Sequence, residues 1–97
     1  MNTYITLMKL TEQGVKNLKE APKRVESNIK AAEKAGGKVI GFYLTLGEYD
    51  YISIAEAASD EVAAAFNLSL CAQGNVRTTT LKAFTLKEFA ELIKNIP

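Results

Sequence analysis

The chain has 97 residues, with 12 Lys and Arg, 11 Asp and Glu, a formal charge of +1 and 47% hydrophobic residues. This size fits a single domain over residues 1–97, and the balanced charge provides no basic surface for DNA or anionic lipid. The sequence has no histidine. That absence excludes Ser-His-Asp and Cys-His nucleophile systems, histidine-ligated zinc and haem held by a proximal histidine.

Targeting and redox features are equally sparse. Cys71 is the only cysteine, so no disulfide framework or CxxC pair exists, and a lone cysteine fits a reducing compartment. The N-terminus lacks the basic start of a signal peptide, and every apolar stretch is shorter than a membrane helix needs. We therefore expect a soluble cytoplasmic protein that binds neither nucleic acid nor membrane and uses no metal or other cofactor.

The first third of the chain predicts one strand and two helical segments. Residues 4–10 are rich in Ile, Leu and Thr, which predicts a strand. From Val15 the apolar residues recur every three or four positions, as on one face of a helix. Pro22 disrupts a helix interior but fits a first turn, so we expect a short helical turn over about 12–20 followed by a new helix. Gly36-Gly37 ends that helix.

The middle of the chain predicts a hairpin. Residues 38–45 and 49–57 are two β-rich runs, and Gly47 supplies the turn between them. Ser59 or Asp60 then caps a second helix. We expect Gly74 to close that helix and the following residues to point inward: Val62, Ala63, Phe66 and Leu70.

The last segment predicts a strand and a short helix. Residues 76–84 contain three consecutive Thr, which favour extended backbone. Thr85 and Glu88 have the spacing of a capping box, with Phe84 placed to pack against Phe89. The final helix should span about 86–95. The complete order, β-α-β-β-α-β with a trailing helix, predicts an α+β, ferredoxin-like fold with a four-stranded antiparallel sheet and two helices on one face.

Two helices can cover only one face of this sheet. Alternation within each strand separates an aliphatic set containing Phe from a set rich in tyrosine and hydroxyl groups. We expect the aliphatic set to lie under the helices: Ile40, Phe42, Leu44, Ile52, Ile54, Leu81 and Ala83. We expect the second set to be uncovered: Val39, Tyr43, Tyr49, Tyr51, Ser53, Thr78, Thr80 and Lys82.

An uncovered tyrosine face has three interpretations. It can be an ordinary amphipathic sheet with exposed tyrosines, it can pack against a second copy, or it can line a cavity. Tyrosine suits both of the latter uses, because it buries a large area and keeps a hydroxyl for hydrogen bonding. A twofold contact covers such a face simply, so we predict a homodimer, or a higher even oligomer, built sheet to sheet.

Blocks along nearly the whole chain, from about residue 3 to 93, resemble one known family. These blocks are TEQGVKN, PKR, LGEYDYISIAEA and GNVRTTTLKAF, and Gly47-Glu48-Tyr49-Asp50 matches the motif of the GYD-domain family. The resemblance implies a functionally uncharacterised protein of the dimeric α/β-barrel group, whose ferredoxin-like subunits pair sheet to sheet. That wider group includes cofactor-free monooxygenases, muconolactone isomerase-like enzymes, haem-dependent chlorite dismutases and effector-binding domains. The missing histidine argues against the haem branch.

Asp50 is the first candidate site residue. Its carboxylate can cap the turn beside Gly47 by accepting backbone N–H groups. Alternatively, it is a general base or a ligand anchor, working with Tyr49 or Tyr43 to move a proton. Strand parity places Asp50 and Tyr49 on opposite faces, which separates them unless the turn is irregular.

The remaining candidates are ligand-binding residues. Arg24 lies early in a helix, where its charge opposes the helix dipole, so we expect an ion pair with Asp50 or Glu48, or else an anionic ligand. Arg77 either protects a strand edge or contacts a ligand. We expect a pocket at the dimer seam to be lined by Tyr43, Tyr49 and Tyr51 with Thr78, Thr80 and Lys82, although interface packing explains these residues as well.

Three functions are compatible with these residues. The first is a homo-oligomeric domain that binds or senses a small molecule. The second is a cofactor-independent oxygenase or isomerase that uses Asp50 with Tyr43 or Tyr49. The third is a structural or protein-interaction module. The sequence has no phosphate-binding glycine loop, metal-spaced carboxylates or nucleophile elbow.

Overall fold

A computed structural model describes residues 1–97. The secondary structure, in chain order, is β1 Asn2–Leu10, α1 Glu12–Lys16, a 3₁₀ turn Leu18–Glu20, α2 Ala21–Lys34, β2 Lys38–Leu44, β3 Tyr51–Ala57, α3 Asp60–Ala72, β4 Val76–Ala83 and α4 Leu86–Ile93. The four strands form one antiparallel sheet in the order β2-β3-β1-β4. The predicted ferredoxin-like α+β fold is therefore confirmed.

Local sequence signals set the helix boundaries. Pro22 lies in the first turn of α2, as predicted. The Ser59 hydroxyl accepts the N–H of Val62 at the start of α3, so Ser59 rather than Asp60 is the cap. At α4, Thr85 and Glu88 form the predicted capping box, in which each side chain accepts the other residue's backbone N–H. Short-range hydrogen bonds of this kind can be read from spacing alone.

The turn between β2 and β3 is longer than predicted, because β3 begins at Tyr51. The Thr45 N–H donates to the Asp50 carbonyl at 2.8 Å, and the Thr45 hydroxyl donates to the Tyr49 carbonyl at 2.6 Å. These bonds close a six-residue loop in which Gly47 has φ of +108°, a backbone conformation that favours glycine. Asp50 therefore lies in a loop rather than at the start of a strand.

The blocks TEQGVKN and GNVRTTTLKAF, which resemble the known family, meet in space where α1 approaches the start of β4. The Thr11 hydroxyl donates to the Gly74 carbonyl at 2.6 Å, and its N–H donates to the Asn75 carbonyl at 3.0 Å. A Cβ atom added to Gly14 would lie 2.2 Å from the Asn75 oxygen, so only glycine fits this approach.

The prediction of which sheet face the helices cover was wrong. Tyr4, Met8 and Tyr51 are each only 6% exposed, and they lie on the face beneath α2 and α3 with Ser53 and Thr80. On the other face, Ile5 pairs with both Ile54 and Leu81, and Leu7 pairs with Ile52. Ile52, Ile54, Leu81 and Ala83 of the set predicted for the core thus face outward.

The grouping of β2 residues was also wrong. A register shift between Val39 and Gly41 puts Phe42 opposite Ser53, on the helix side, where its ring centroid lies 5.0 Å from that of Tyr51. Tyr43 pairs with Ile52 and is 57% exposed. The register shift breaks the alternation within β2, so Val39 and Phe42 share the helix side although counting alternate positions separates them. We call the residues on the uncovered side the open sheet face: Ile5, Leu7, Tyr43, Ile52, Ile54 and Leu81.

Chain connection, rather than side-chain hydrophobicity, decides which face the helices cover. β1 and β2 both run antiparallel to β3, so they are parallel to each other. In the same way, β3 and β4 both run antiparallel to β1 and are parallel to each other. Each helix therefore joins two parallel strands, and such crossovers are right-handed in nearly all proteins. With the strand order fixed, both helices must lie on one particular face, and the aliphatic residues are left on the other.

Candidate functional site

A cleft of about 480 Å³ lies between the sheet and the helices α2 and α3. Its walls carry many small side chains, which leave the space unfilled: Ala32, Ala35, Gly37, Ala55, Ala57, Ala63 and Ala65. The cleft is partly open, so water or a small molecule can enter it.

The polar groups of the cleft are mainly hydroxyls. The Thr6 and Thr80 hydroxyls lie 3.2 Å apart on neighbouring strands, and Ser53 lines the same cleft. Tyr4 lines it too, but the Tyr4 hydroxyl is already engaged elsewhere. A few hydroxyls on an apolar wall can orient a small molecule by hydrogen bonding.

One end of the cleft borders a charged cluster that sequence reasoning missed. The Tyr4 hydroxyl donates to the Asp60 carboxylate, and the Lys82 Nζ lies 3.4 Å from the same carboxylate. These hydrogen bonds, from Tyr4 and then from Lys82, hold the pKa of Asp60 below its ordinary value. Burial and the bond to Asp60 raise the pKa of Tyr4. The cluster thus pairs its charges internally.

The other end of the cleft continues into a smaller pocket of about 70 Å³, lined by Arg24, Asn28, Tyr51 and Gln73 among others. The Arg24 Nη1 donates to the Asn17 carbonyl at 3.2 Å. The Asn28 and Gln73 side-chain amides bond each other at 3.0 and 3.4 Å. The ion pair expected between Arg24 and Asp50 or Glu48 is not formed, because the Arg24 side chain binds Asn17, just before the 3₁₀ segment, instead.

Asp50 has backbone partners on β1. Its carboxylate Oδ2 accepts the Leu10 N–H at 2.8 Å, and its own N–H donates to the Met8 carbonyl at 2.8 Å. The side chain thus ties the hairpin loop to the end of the neighbouring strand. This is a capping role, but toward another strand and not within the turn.

The structure divides the predicted site residues between the two faces. Tyr51, Thr78, Thr80 and Lys82 share the helix-covered face, because they pair with or flank Met8, Thr6 and Tyr4. Arg77 pairs with Lys9, and Tyr43 pairs with Ile52, so both belong to the uncovered side. Tyr49 contacts this side as well, since the Lys9 Nζ lies 5.4 Å from its ring centroid. The predicted single pocket is therefore split.

Several cleft residues escaped the sequence analysis. Tyr4 and Thr6 alternate with Ile5 and Leu7 along β1, a pattern that was available but was not used to assign faces. Asp60 was considered only as a helix cap. Its contacts with Tyr4 and Lys82 join residues far apart in sequence, and no local pattern indicates such contacts.

A second candidate surface is α4. Its apolar residues Leu86, Phe89 and Ile93 follow the i, i+3, i+7 spacing of one helical face, and they are 82%, 54% and 50% exposed. Isolated helices shorter than about 12 residues are marginal in water, whereas α4 has eight residues. None of the helices is long and apolar enough to cross a membrane.

Comparison with known proteins identifies relatives of this chain. The sequence model of the GYD domain matches residues 4–93. A protein of Thermus thermophilus, named glutamine synthetase and cystathionine beta-lyase binding protein, is 33% identical over 95 residues, which cover 97% of this chain and 100% of that protein. The crystal structure of TTHA0845, also from Thermus thermophilus, superposes with a TM-score of 0.57 at 22% identity, over 88% of this chain and 95% of that one. The likeness of the two structures concerns the fold.

Proposed function

Because this chain belongs to the GYD domain family, we propose that it is a protein-binding domain that self-associates and binds a metabolic enzyme. The observation that carries this proposal is the amount of surface left exposed, which includes many large hydrophobic side chains. A compact monomer of 10.6 kDa exposes about 5,500 Å². This chain exposes 6838 Å², roughly 1,400 Å² more than that expectation.

The open sheet face is the surface that we assign to a second copy of the chain. It is mainly aliphatic, and a face of this chemistry can pack against the same face of a second copy in a twofold contact. This face contributes part of the excess exposed surface, and a specific contact between two copies needs about 1,200–2,000 Å² in total. This supports the homodimer predicted from sequence, but through aliphatic residues rather than the tyrosine-rich set.

The apolar side of α4 is the surface that we assign to the enzyme. Helices of this kind bind by placing their i, i+3 and i+7 residues into a groove of a partner, and the exposed Leu86, Phe89 and Ile93 have that spacing. The relative in Thermus thermophilus is named for binding glutamine synthetase and cystathionine beta-lyase. These two enzymes are therefore the first partners to test.

The test is a binding titration of the purified chain against each purified enzyme, with biolayer interferometry as the readout. We expect saturable binding to at least one enzyme, weakened about tenfold or more by Phe89→Gln, because hot-spot aromatics dominate such contacts. The control is Leu68→Gln on the outer side of α3, where Leu68 is also exposed. The absence of binding to both enzymes, or an equal loss with the control, would contradict the enzyme assignment.

Small-molecule binding or sensing is the second candidate function, and the cleft favours it. Of the predicted set, Thr80 lines the cleft, and Tyr51 and Arg24 line the smaller pocket that continues it. The cofactor-independent oxygenase or isomerase has less support, because the carboxylate of Asp50 is engaged by the Leu10 N–H and Tyr43 belongs to the open sheet face.

A further inference from the structure

We propose that the cleft between α2, α3 and the sheet binds an uncharged, largely apolar small molecule that carries a carbonyl or hydroxyl group. This inference rests on the second candidate function above and names its ligand class. It is independent of the self-association and of the enzyme contact, which use other surfaces.

The size of the cleft fits this class of ligand. Small-molecule sites typically have volumes of about 300–1,000 Å³ and mostly apolar walls, and the cleft has about 480 Å³. Its volume comes from short side chains on both layers, such as Ala32 and Ala63 on the helices and Ala55 on the sheet. Apolar cavities of this kind take up apolar molecules.

The charges around the cleft argue for a neutral ligand. Asp60 and Lys82 are paired with each other at one end, and the guanidinium of Arg24 lines the smaller pocket beyond the other end rather than the cleft itself. Glu56 borders the cleft, but its register partner on β1 is Thr3, so Glu56 belongs to the open side of the sheet. A charged ligand would lose its hydration without meeting a free counter-charge, which is costly.

The hydroxyl groups of the cleft indicate which polar group the ligand carries. Thr6 and Thr80 bond each other across neighbouring strands, and Ser53 lines the cleft on the third strand. A hydroxyl can donate one hydrogen bond and accept others, so these groups match either a carbonyl or a hydroxyl on an otherwise apolar molecule. Such matching fixes orientation inside the cleft.

The experiment uses the neutral fluorescent dye Nile red with the full chain. We expect a saturable blue-shifted signal with about one dye per chain. Ala63→Leu fills the cleft from α3 and should weaken binding about tenfold or more without lowering the melting temperature, because cavity filling is commonly stabilising. The matched control is Ala64→Leu, the next residue on the same helix, which is exposed and outside the cleft.

The ligand class is tested by displacing the dye with 2-naphthalenemethanol, 2-naphthoate and 2-naphthylmethylammonium. The neutral alcohol should compete at about tenfold lower concentration than either ion, since a buried unpaired charge is penalised. Three results would each overturn the proposal: no saturable binding, equal binding by the Ala63→Leu chain, or equal competition by an ion. The Ala63→Leu chain should keep its oligomeric state and enzyme binding, so a failure here is separate from a failure of the proposed function.

Discussion

At the scale of single residues, Asp50 shows how one side chain can support the fold. Its carboxylate accepts the N–H at the end of β1, while its own backbone bonds to the same strand. An unpaired buried N–H costs about 1–3 kcal/mol. A residue placed in this way holds the β2–β3 loop against the sheet.

We therefore expect Asp50→Ala to lower the free energy of unfolding by about 1–3 kcal/mol. Asp50→Asn keeps an oxygen acceptor and should cost less. Urea unfolding monitored by circular dichroism measures both changes. Glu48→Ala, an exposed change in the same loop, should stay within about 0.5 kcal/mol. Equal stability of the natural chain and the three variants would exclude the capping role and favour Asp50 as a base.

Residue-level prediction from sequence succeeded where the partners are close in the chain. Ser59 and Thr85 cap helices through bonds that span three residues, and their spacing gives the geometry directly. Asp50 was predicted to be either a cap of its own turn or a base, whereas its carboxylate accepts a backbone N–H of β1. Its partner Leu10 lies 40 positions away, so only the folded register could identify it.

At the scale of secondary-structure elements, Asp60 links α3 to two strands of the sheet. It accepts a hydrogen bond from Tyr4 on β1 and pairs with Lys82 on β4. Both partners favour the ionised carboxylate and lower the pKa of Asp60 in the folded chain. In the unfolded chain its pKa is about 3.9.

This shift gives a defined pH dependence. A carboxylate with a lowered folded-state pKa stabilises the fold above its unfolded pKa, and that contribution disappears as the pH falls through the folded value. We expect Asp60→Asn to be less stable than the natural chain at pH 7, with the difference shrinking below about pH 4. Urea midpoints between pH 2.5 and pH 7 measure the effect.

Glu61→Gln is the matched control for this prediction. Glu61 lies beside Asp60 in the first turn of α3 and so shares its interaction with the helix dipole, but it forms no ion pair. Its pH dependence should follow the natural chain. If Asp60→Asn and Glu61→Gln behave alike, the helix dipole rather than the Tyr4 and Lys82 contacts accounts for the stabilisation.

The elements themselves were largely predictable, whereas their arrangement against one another was not. Periodicity and caps indicated every strand and helix, including α4. The alternation of Ile52 and Ile54 with Tyr51 and Ser53 was also clear from sequence. Which set lies under the helices depends on crossover handedness and strand register, so hydrophobicity alone gave the inverted answer.

At the scale of the whole molecule, the inverted faces leave an aliphatic side of the sheet without a cover in the single chain. Only five of 97 residues are buried, and the radius of gyration is 14.6 Å, compared with about 12.5 Å expected for a compact domain of this length. A chain with a larger radius of gyration than a compact domain also exposes more surface, as this one does. An aliphatic open sheet face is favourable only when it is covered.

We expect the natural chain to be a dimer, or a higher even oligomer, in sedimentation equilibrium, with a melting temperature that rises with protein concentration. Ile54→Lys places a charge at the centre of the open sheet face and should shift the chain to monomer. Leu68→Lys makes a comparable change on the outer side of α3, where Leu68 is exposed, and should leave the oligomer intact.

The two surfaces can then be separated by comparing Ile54→Lys with Phe89→Gln. If the open sheet face holds the second copy and α4 holds the enzyme, Ile54→Lys abolishes self-association, and Phe89→Gln leaves it unchanged. A natural chain that is monomeric at every concentration would contradict the dimer and leave the open sheet face available to the enzyme. Dissociation by Phe89→Gln would instead place α4 in the contact between copies, because a helix of eight residues then gains its stability from the partner copy.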